Sequence, residues 1–187
     1  MTMITFSDAG RRFNMRVVGV VLHEDHVLLG SYDDSSHWVL PGGRAELLET
    51  SRESVAREMF EELGQTVQVR DLYWIVENFF LLNGEHFHEL GMYYRIDLPA
   101  ASPLLQRDST HEVFDGGSQW SFRWHALERL HELEIRPPFL HHGLLHLPGT
   151  PQHIVIRYPH ELNAGAVSHA VPHAPVVSRH STDDPEK

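Results

Sequence analysis

The segment at residues 43–64, GRAELLETSRESVAREMFEELG, carries most of the information in this 187-residue chain. It follows a Pro-Gly-Gly turn and contains three carboxylates at relative positions i, i+3 and i+4, namely Glu58, Glu61 and Glu62. Residues at this spacing lie close together on a helix, and oxygen ligands suit Mg²⁺ or Mn²⁺. Such ions commonly bind phosphates and assist their cleavage, so the segment predicts a divalent-metal site.

The sequence predicts a helix over Ser51–Leu63. Thr50 suits the N-cap with Glu53 as its capping-box partner, and Gly64 suits a left-handed turn at the C-terminus. One side of this helix collects the apolar residues, which are Val55, Ala56, Met59, Phe60 and Leu63. The three glutamates fall on an adjoining arc of roughly 100°. We therefore expect the helix to pack by its apolar side and to present its acids on the other.

A solvated, Glu-rich surface helix is the simplest alternative interpretation. However, Glu58 and Glu62 stand at i and i+4, where like charges repel by roughly a few tenths of a kcal/mol unless a positive group joins them. A strand-and-turn sequence at residues 38–43, WVLPGG, also leads directly into the segment. Both features favour a functional site over a surface helix.

These residues resemble the Nudix box, whose pattern is G-x5-E-x7-R-E-U-x-E-E-x-G-U, where U is a bulky aliphatic residue. The positions that fit in register are Gly43, Glu49, Arg57, Glu58, Met59, Glu61, Glu62 and Gly64. Two positions differ: Gln65 replaces the last aliphatic residue, and Leu48 replaces a glycine that many members carry. Flanking matches extend the resemblance to about residues 13–147, in the manner of a bacterial branch of the MutT-like Nudix hydrolases.

The resemblance implies an α+β fold, the Nudix-type α/β/α sandwich with a central mixed β-sheet. Clusters of strand-like runs with helices between them also favour α+β layers. The predicted strands are residues 15–22, 27–31, 38–40, 67–82, 87–98, 120–124 and 153–158. Short helices are expected at residues 126–133 and 139–147, and a loop at residues 100–117.

The activity implied by the resemblance is hydrolysis of a diphosphate linkage in a nucleoside diphosphate joined to another group X, with Mg²⁺ or Mn²⁺ as cofactor. The expected metal ligands are Glu58, Glu61, Glu62 and the carbonyl oxygen of Gly42. Glu58 is also a candidate general base. Arg57 would orient the glutamates, and Glu49 would hold Arg57.

Members of the family can also supply a base from outside the box. Glu112 stands about where some members place another ligand or base, and Glu89 and Glu77 are alternatives; each would equally suit a surface or strand-pairing carboxylate. Arg16 could reach a substrate phosphate, with a strand-edge salt bridge as the alternative. Phe79 could stack on a base, although strand aromatics more often belong to the core. The other aromatic candidates are Phe80, Trp74 and Tyr93.

Length and composition limit the remaining possibilities. The length suggests one domain, residues 1–160, followed by a tail, residues 161–187, that is expected to be disordered because Ala, Pro, His and Ser dominate it. The net charge of −11 argues against binding to duplex nucleic acid. The chain has no cysteine and no apolar run of membrane-spanning length. We therefore expect a cytoplasmic protein that acts on a small-molecule nucleotide away from membranes.

Two functional classes remain open. One is a metal-dependent pyrophosphohydrolase, and the other is a non-catalytic nucleotide-binding regulatory module on the same fold, since fold does not fix function. The complete acidic set favours the enzyme, because an inactive module would be expected to lack one of these acids. The box is common to enzymes for nucleotide sugars, ADP-ribose, dinucleotides, nucleoside triphosphates and capped RNA, so the substrate stays open. A homodimer is suggested on family grounds alone.

Overall fold

The computed structural model describes residues 2–33, 35–115, 117–158 and 176–179. These residues form twelve strands: β1 (Thr5–Asp8), β2 (Arg11–His23), β3 (His26–Tyr32), β4 (His37–Trp38), β5 (Gly42–Arg44), β6 (Gln68–Leu82), β7 (Glu85–Asp97), β8 (His111–Asp115), β9 (Ser118–Ala126), β10 (Glu134–Ile135), β11 (Gln152–Arg157) and β12 (Val176–Arg179). The α-helices are α1 (Ser51–Leu63) and α2 (Leu140–Gly143), and 3₁₀ turns occupy Pro103–Leu105 and Leu127–Glu132.

Ten of these strands form one mixed sheet in the order β12-β11-β6-β7-β2-β3-β9-β8, with β1 and β5 added beside β2. The strand β2 is central: it pairs parallel with β7 and antiparallel with β3 and β5. A separate parallel pair joins β4 and β10. The predicted α+β fold with a central mixed sheet is confirmed.

Side chains that alternate along β2 enter two different cores, because successive residues of a strand point to opposite faces. Val17 belongs to the core that contains Val55 and Met59 of α1. Val18 belongs to the core that contains Trp74 of β6 and Leu140 of α2. The sheet is therefore covered on both faces, and α1 is fixed against one of them. No helix of the described residues is long and apolar enough to cross a membrane.

Several local expectations need correction. The predicted loop at residues 100–117 contains the strand β8, and the strand β1 near the N-terminus was not predicted. The predicted helix at residues 139–147 is α-helical only over Leu140–Gly143. Most of the predicted tail lies outside the described residues, so its disorder stays a prediction; within it, Val176–Arg179 forms β12 beside β11.

Candidate active site

The box segment forms the helix that its sequence predicts. Thr50 Oγ1 accepts a hydrogen bond from the Glu53 amide at 3.3 Å, and Glu53 Oε2 accepts one from the Thr50 amide at 2.8 Å. This capping box satisfies amide groups that the first helical turn leaves unpaired. At the other end, Gly64 adopts a left-handed conformation with φ 64°. Local sequence therefore determines where α1 begins and ends.

The three glutamates of α1 differ in their environment. Glu58 and Glu62 are buried, with only 9% and 5% of their surface exposed. The Glu61 side chain is 52% exposed. Phe60, expected on the apolar side, is instead 61% exposed. The helix is thus turned so that two of its acids, rather than Phe60, face the protein.

Arg57 organises the acids around one guanidinium group. Its Nη1 donates to Glu58 Oε1 at 2.8 Å and to Glu61 Oε2 at 2.9 Å, while its Nε donates to Glu49 Oε1 at 3.0 Å. Its Nη2 donates to the Arg44 carbonyl oxygen at 3.1 Å. The hydrogen bond from Arg57 is the main reason that the pKa of Glu49 lies below its usual range. Glu49 and Arg57 therefore lie together, as expected from the box.

The Gly42-Gly43 turn lies directly against the acids. Gly42 donates its amide hydrogen to Glu62 Oε2 at 2.7 Å, and its carbonyl oxygen accepts from Arg16 Nη2 at 2.6 Å. Gly42 has φ 139°, which side chains rarely adopt. A Cβ atom on Gly43 would lie only 2.3 Å from Glu58 Oε2. Glycine is thus required at Gly43 for Glu58 to occupy this place.

The donor set suits a hard divalent cation in its chemistry. Burial raises the pKa of the Glu58 carboxyl, and the hydrogen bond from Arg57 opposes that shift. A cation beside Glu58 would offset the same cost, because burying a charge is expensive unless it is paired. Within the described ranges, however, no three acidic or histidine side chains already converge on one point. Glu58 and Glu61 are directed to Arg57 and Glu62 to the Gly42 amide, so binding a cation would require these side chains to redirect.

The three candidates for a base outside the box occupy different places. Glu112 is exposed on β8, where its carboxylate accepts a hydrogen bond from Gln119 Nε2 at 3.1 Å. Glu77 accepts from His153 Nε2 at 2.9 Å. Glu89 is half-buried on β7, and desolvation raises the pKa of its carboxyl while Arg16 opposes the rise. Only Glu89 of these three interacts with a residue, Arg16, that contacts the Gly42-Gly43 turn.

Phe79 packs against two other side chains. Its ring stacks on the His88 ring with centroids 4.4 Å apart, and the Arg157 guanidinium lies 4.1 Å from its centroid. His88 is on β7 and Arg157 on β11, the strands on either side of β6. The Phe79 ring is therefore already in contact with two neighbouring side chains, which weakens its expected role in stacking on a base.

Two residues near the site were not predicted from the sequence. The His111 ring on β8 lies 3.2 Å, measured from Nε2, from the Glu62 carbonyl oxygen. Asn78 of β6 is only 8% exposed and faces the same side of the sheet as Glu89. The His111 contact is made between distant strands and helices and leaves no local pattern. Asn78 could have been noticed because it and Glu77 interrupt an otherwise apolar run at residues 72–82.

Residues 13–142, more than half of the chain, match the family described as NUDIX domain. The chain therefore belongs to the Nudix family. Hydrolases of this family act on phosphorus-containing acid anhydrides and generally use divalent metals such as Mg²⁺ or Mn²⁺.

Individual relatives agree with this assignment. Over 66 residues the chain is 44% identical to a MutT-like protein of Streptomyces ambofaciens, a match that covers 35% of this chain and 43% of that protein. The chain thus matches less than half the length of this relative. The fold resembles a MutT protein from Bacillus halodurans, with a TM-score of 0.54, 19% identity, and coverage of 80% of this chain and 93% of that chain.

A weaker likeness exists to an ADP-ribose pyrophosphatase from Streptococcus suis. Its TM-score is 0.45 at 17% identity, covering 66% of this chain and 79% of that chain. The substrate of this chain stays open, because one fold can host different activities.

Proposed function

We propose that this protein is a divalent-metal-dependent hydrolase of a diphosphate linkage in a nucleoside diphosphate joined to another group. The observation that carries the proposal is the placement of the buried Glu58 and Glu62 against the Gly42-Gly43 turn. Burying two carboxylates on one helical turn costs free energy, because each charge loses water and repels the other. A divalent cation would add to the compensation that Arg57 and the Gly42 amide already supply.

Each residue has a distinct role in this proposal. Glu58, Glu62 and Glu61, with the Gly42 carbonyl oxygen, would hold Mg²⁺ or Mn²⁺, which supplies charge neutralisation for the phosphate oxygens and lowers the pKa of water. Arg57 positions Glu58 and Glu61 through its hydrogen bonds at 2.8 and 2.9 Å.

The remaining roles concern water and phosphate. Glu58 is the candidate that would take the proton of the attacking water. Arg16, next to the Gly42 carbonyl, would bind a phosphate oxygen of the substrate. Glu112 stays a predicted second base; its exposed position beside Gln119 gives it no contact with α1 among the hydrogen bonds of the described residues.

The substrate class follows from charge as well as from the site. We infer a small-molecule nucleotide rather than duplex nucleic acid, because the net charge of −11 opposes extended binding to a phosphate backbone. The guanidinium groups of Arg16 and Arg57 both lie at the turn, where they donate to the carbonyl oxygens of Gly42 and Arg44. A cytoplasmic location and a homodimer stay predictions.

The test is turnover of a panel of nucleoside diphosphate derivatives and nucleoside triphosphates with and without Mg²⁺ or Mn²⁺. Glu58→Gln and Glu62→Gln should each lower turnover by orders of magnitude while the urea unfolding midpoint stays near that of the wild type. Glu128→Gln, a change at an exposed residue outside the site, serves as the control. Wild-type rates in both glutamine variants would show that these residues do not carry the reaction.

A second function is supported by one observation. Glu58 and Glu61 are already compensated by Arg57 within the protein, which suits a non-catalytic module that binds nucleotides without a metal. Nucleotide binding without any turnover across the panel would favour this regulatory module.

A further inference from the structure

A row of polar side chains crosses the sheet on the face that carries Arg16. Asn14 of β2 is in register with Glu89 of β7, and Glu89 is in register with Asn78 of β6. Directly paired residues of neighbouring strands project their side chains to the same face. The three side chains, which we call the polar row, therefore stand side by side on three adjacent strands.

Two members of the polar row are buried, and the hydrogen bonding of one of them is incomplete. Asn14 is 5% exposed and Asn78 is 8% exposed. Asn14 Oδ1 accepts a hydrogen bond from Thr5 Oγ1 at 2.7 Å. Asn78 Oδ1, by contrast, has no hydrogen-bond partner among the described residues. Buried polar atoms of native proteins are nearly always paired, so an unpaired one calls for an explanation such as a ligand.

Glu89, the second group of interest in the row, has a carboxyl with a shifted pKa. Burial raises the pKa of its carboxyl, and both Arg16 and a hydrogen bond from the Asn78 side chain oppose the rise. Asn78 thus uses its amide towards Glu89, and its free oxygen is left to accept a hydrogen bond from elsewhere. The two side chains together present acceptor oxygens on two adjacent strands of the row.

The row lies between groups that suit the two ends of a nucleotide. Arg16 is two residues from Asn14 on β2, about 7 Å along the strand, and it also contacts the Gly42 carbonyl at 2.6 Å. On the other side, the stacked rings of Phe80 and Phe87 have centroids 4.9 Å apart. Phe80 is two residues from Asn78, and Phe87 is two from Glu89. A substrate whose phosphates reach Arg16 would therefore place its nucleoside over the row.

Resting on the proposed function, we propose that Asn78 and Glu89 determine substrate specificity by accepting hydrogen bonds from uncharged donors of the nucleoside. Such donors are the hydroxyl groups of the sugar or the N–H groups of the base. An anionic group would be repelled by Glu89, and an apolar group would leave Asn78 Oδ1 unpaired. A site built to hydrogen-bond a donor rejects analogues that lack it far more strongly than an apolar pocket does.

The test measures binding, so it does not depend on turnover. Isothermal titration with the full-length protein, without added metal, compares AMP, GMP, CMP and UMP, then AMP with 2′-deoxy-AMP, and finally inorganic diphosphate. The first comparison identifies recognition of base N–H groups, and the second identifies recognition of a sugar hydroxyl. Inorganic diphosphate reports on the phosphate end alone. The variants are Asn78→Leu and Glu89→Gln, with Gln68→Leu, exposed at the far end of β6, as the matched control.

We expect the wild type to prefer one ligand by about 10- to 100-fold, the range that one or two such hydrogen bonds supply. Asn78→Leu should reduce the preference to within about twofold while affinity for inorganic diphosphate is kept. Glu89→Gln keeps the side-chain shape and should also reduce the preference among nucleotides. This second variant keeps the test decisive if Asn78→Leu fails to fold. Gln68→Leu should leave the preference among nucleotides unchanged.

The proposal is overturned if the wild type binds all nucleotides equally, or if both variants keep the wild-type preference. Failure of the proposed function is recognised separately. In that case the wild type would hydrolyse no member of the substrate panel, while its binding preference still depended on Asn78 and Glu89.

Discussion

Arg16 Nη2 lies 2.6 Å from the carbonyl oxygen of Gly42 and donates a hydrogen bond to it. The same oxygen is the expected backbone ligand of the metal. Arg16 also acts electrostatically on Glu58, whose pKa it lowers as one of several smaller influences. One cation of the protein therefore interacts with two groups that a divalent ion would use. An ion bound to this carbonyl would compete with Arg16, and the displaced guanidinium would then be free to bind phosphate.

Replacing Arg16 with methionine should affect metal and substrate in opposite directions. Removing the positive charge relieves a repulsion of about 1 kcal/mol and frees the Gly42 carbonyl, so Mn²⁺ should bind about fivefold more tightly. Loss of a charge-assisted hydrogen bond to phosphate should raise KM about tenfold. Mn²⁺ affinity is measured by electron paramagnetic resonance of the free ion, and KM by steady-state kinetics.

The matched control is Arg123→Met, an exposed position on β9. It should change neither quantity. Weaker Mn²⁺ binding by Arg16→Met would contradict the competition and assign Arg16 a role in organising the turn instead.

Gly43→Ala tests the close approach of α1 to the turn. The new Cβ would lie within 2.3 to 2.5 Å of all three atoms of the Glu58 carboxylate, so Glu58 must move. A displacement of about 1 Å in a catalytic group can cost about 100-fold in rate. We expect kcat/KM to fall by about this factor while circular dichroism remains that of the wild type.

Gly149→Ala is the control for the extra methyl group, since its Cβ would meet no described atom within 4 Å. If Gly43→Ala retained full activity, Glu58 would not need its present position for the reaction.

The ends of α1 and the spacing of its acids could be predicted because both depend on local sequence. Thr50, Glu53 and Gly64 determine the ends of the helix through contacts within a few residues. The orientation of the helix could not be predicted in this way. An amphipathic pattern assigns Phe60 to the buried side and Glu62 to the exposed side, and the structure reverses both assignments.

The reason for that reversal lies in contacts between distant segments. Glu62 is buried because the Gly42 amide, twenty residues earlier, donates a hydrogen bond to it at 2.7 Å. The same limitation applies to Phe79, whose ring is covered by His88 and Arg157 from the two neighbouring strands. The sequence places an aromatic residue on β6, but the order and register of the strands decide which side chains its ring contacts. The polar row likewise requires the pairing of β2, β7 and β6 to be known.

Met59 and Phe60 offer a direct test of how α1 is turned. Met59 is fully buried in the core beside Gly19, whereas Phe60 is 61% exposed. Met59→Ala should lower the free energy of unfolding by about 2 to 4 kcal/mol, because it leaves a cavity among close-packed side chains. Phe60→Ala should change it by about 0.5 kcal/mol or less. Urea unfolding followed by circular dichroism measures both, and equal losses would mean that the helix presents a different side to the sheet.

His125 should cause the free energy of unfolding to decrease as the pH falls. Burial, with Arg123 and His26 nearby, holds the pKa of His125 below the usual value of 6.5, and its ring packs against Trp38 with centroids 4.3 Å apart. As pH falls below 6.5, the unfolded chain takes up a proton before the folded one does, so the free energy of unfolding decreases. One such proton contributes at most about 1.4 kcal/mol per pH unit.

We therefore expect His125→Gln to lose packing at every pH but to show a shallower decline of stability between about pH 7.5 and pH 5 than the wild type. Urea unfolding across this range measures both curves, and subtracting them removes the constant loss of packing. His131→Gln, at an exposed histidine, should leave the shape of the curve unchanged. If His125→Gln kept the wild-type slope, groups other than His125 would cause the loss of stability in acid, because the variant has no imidazole at this position to protonate.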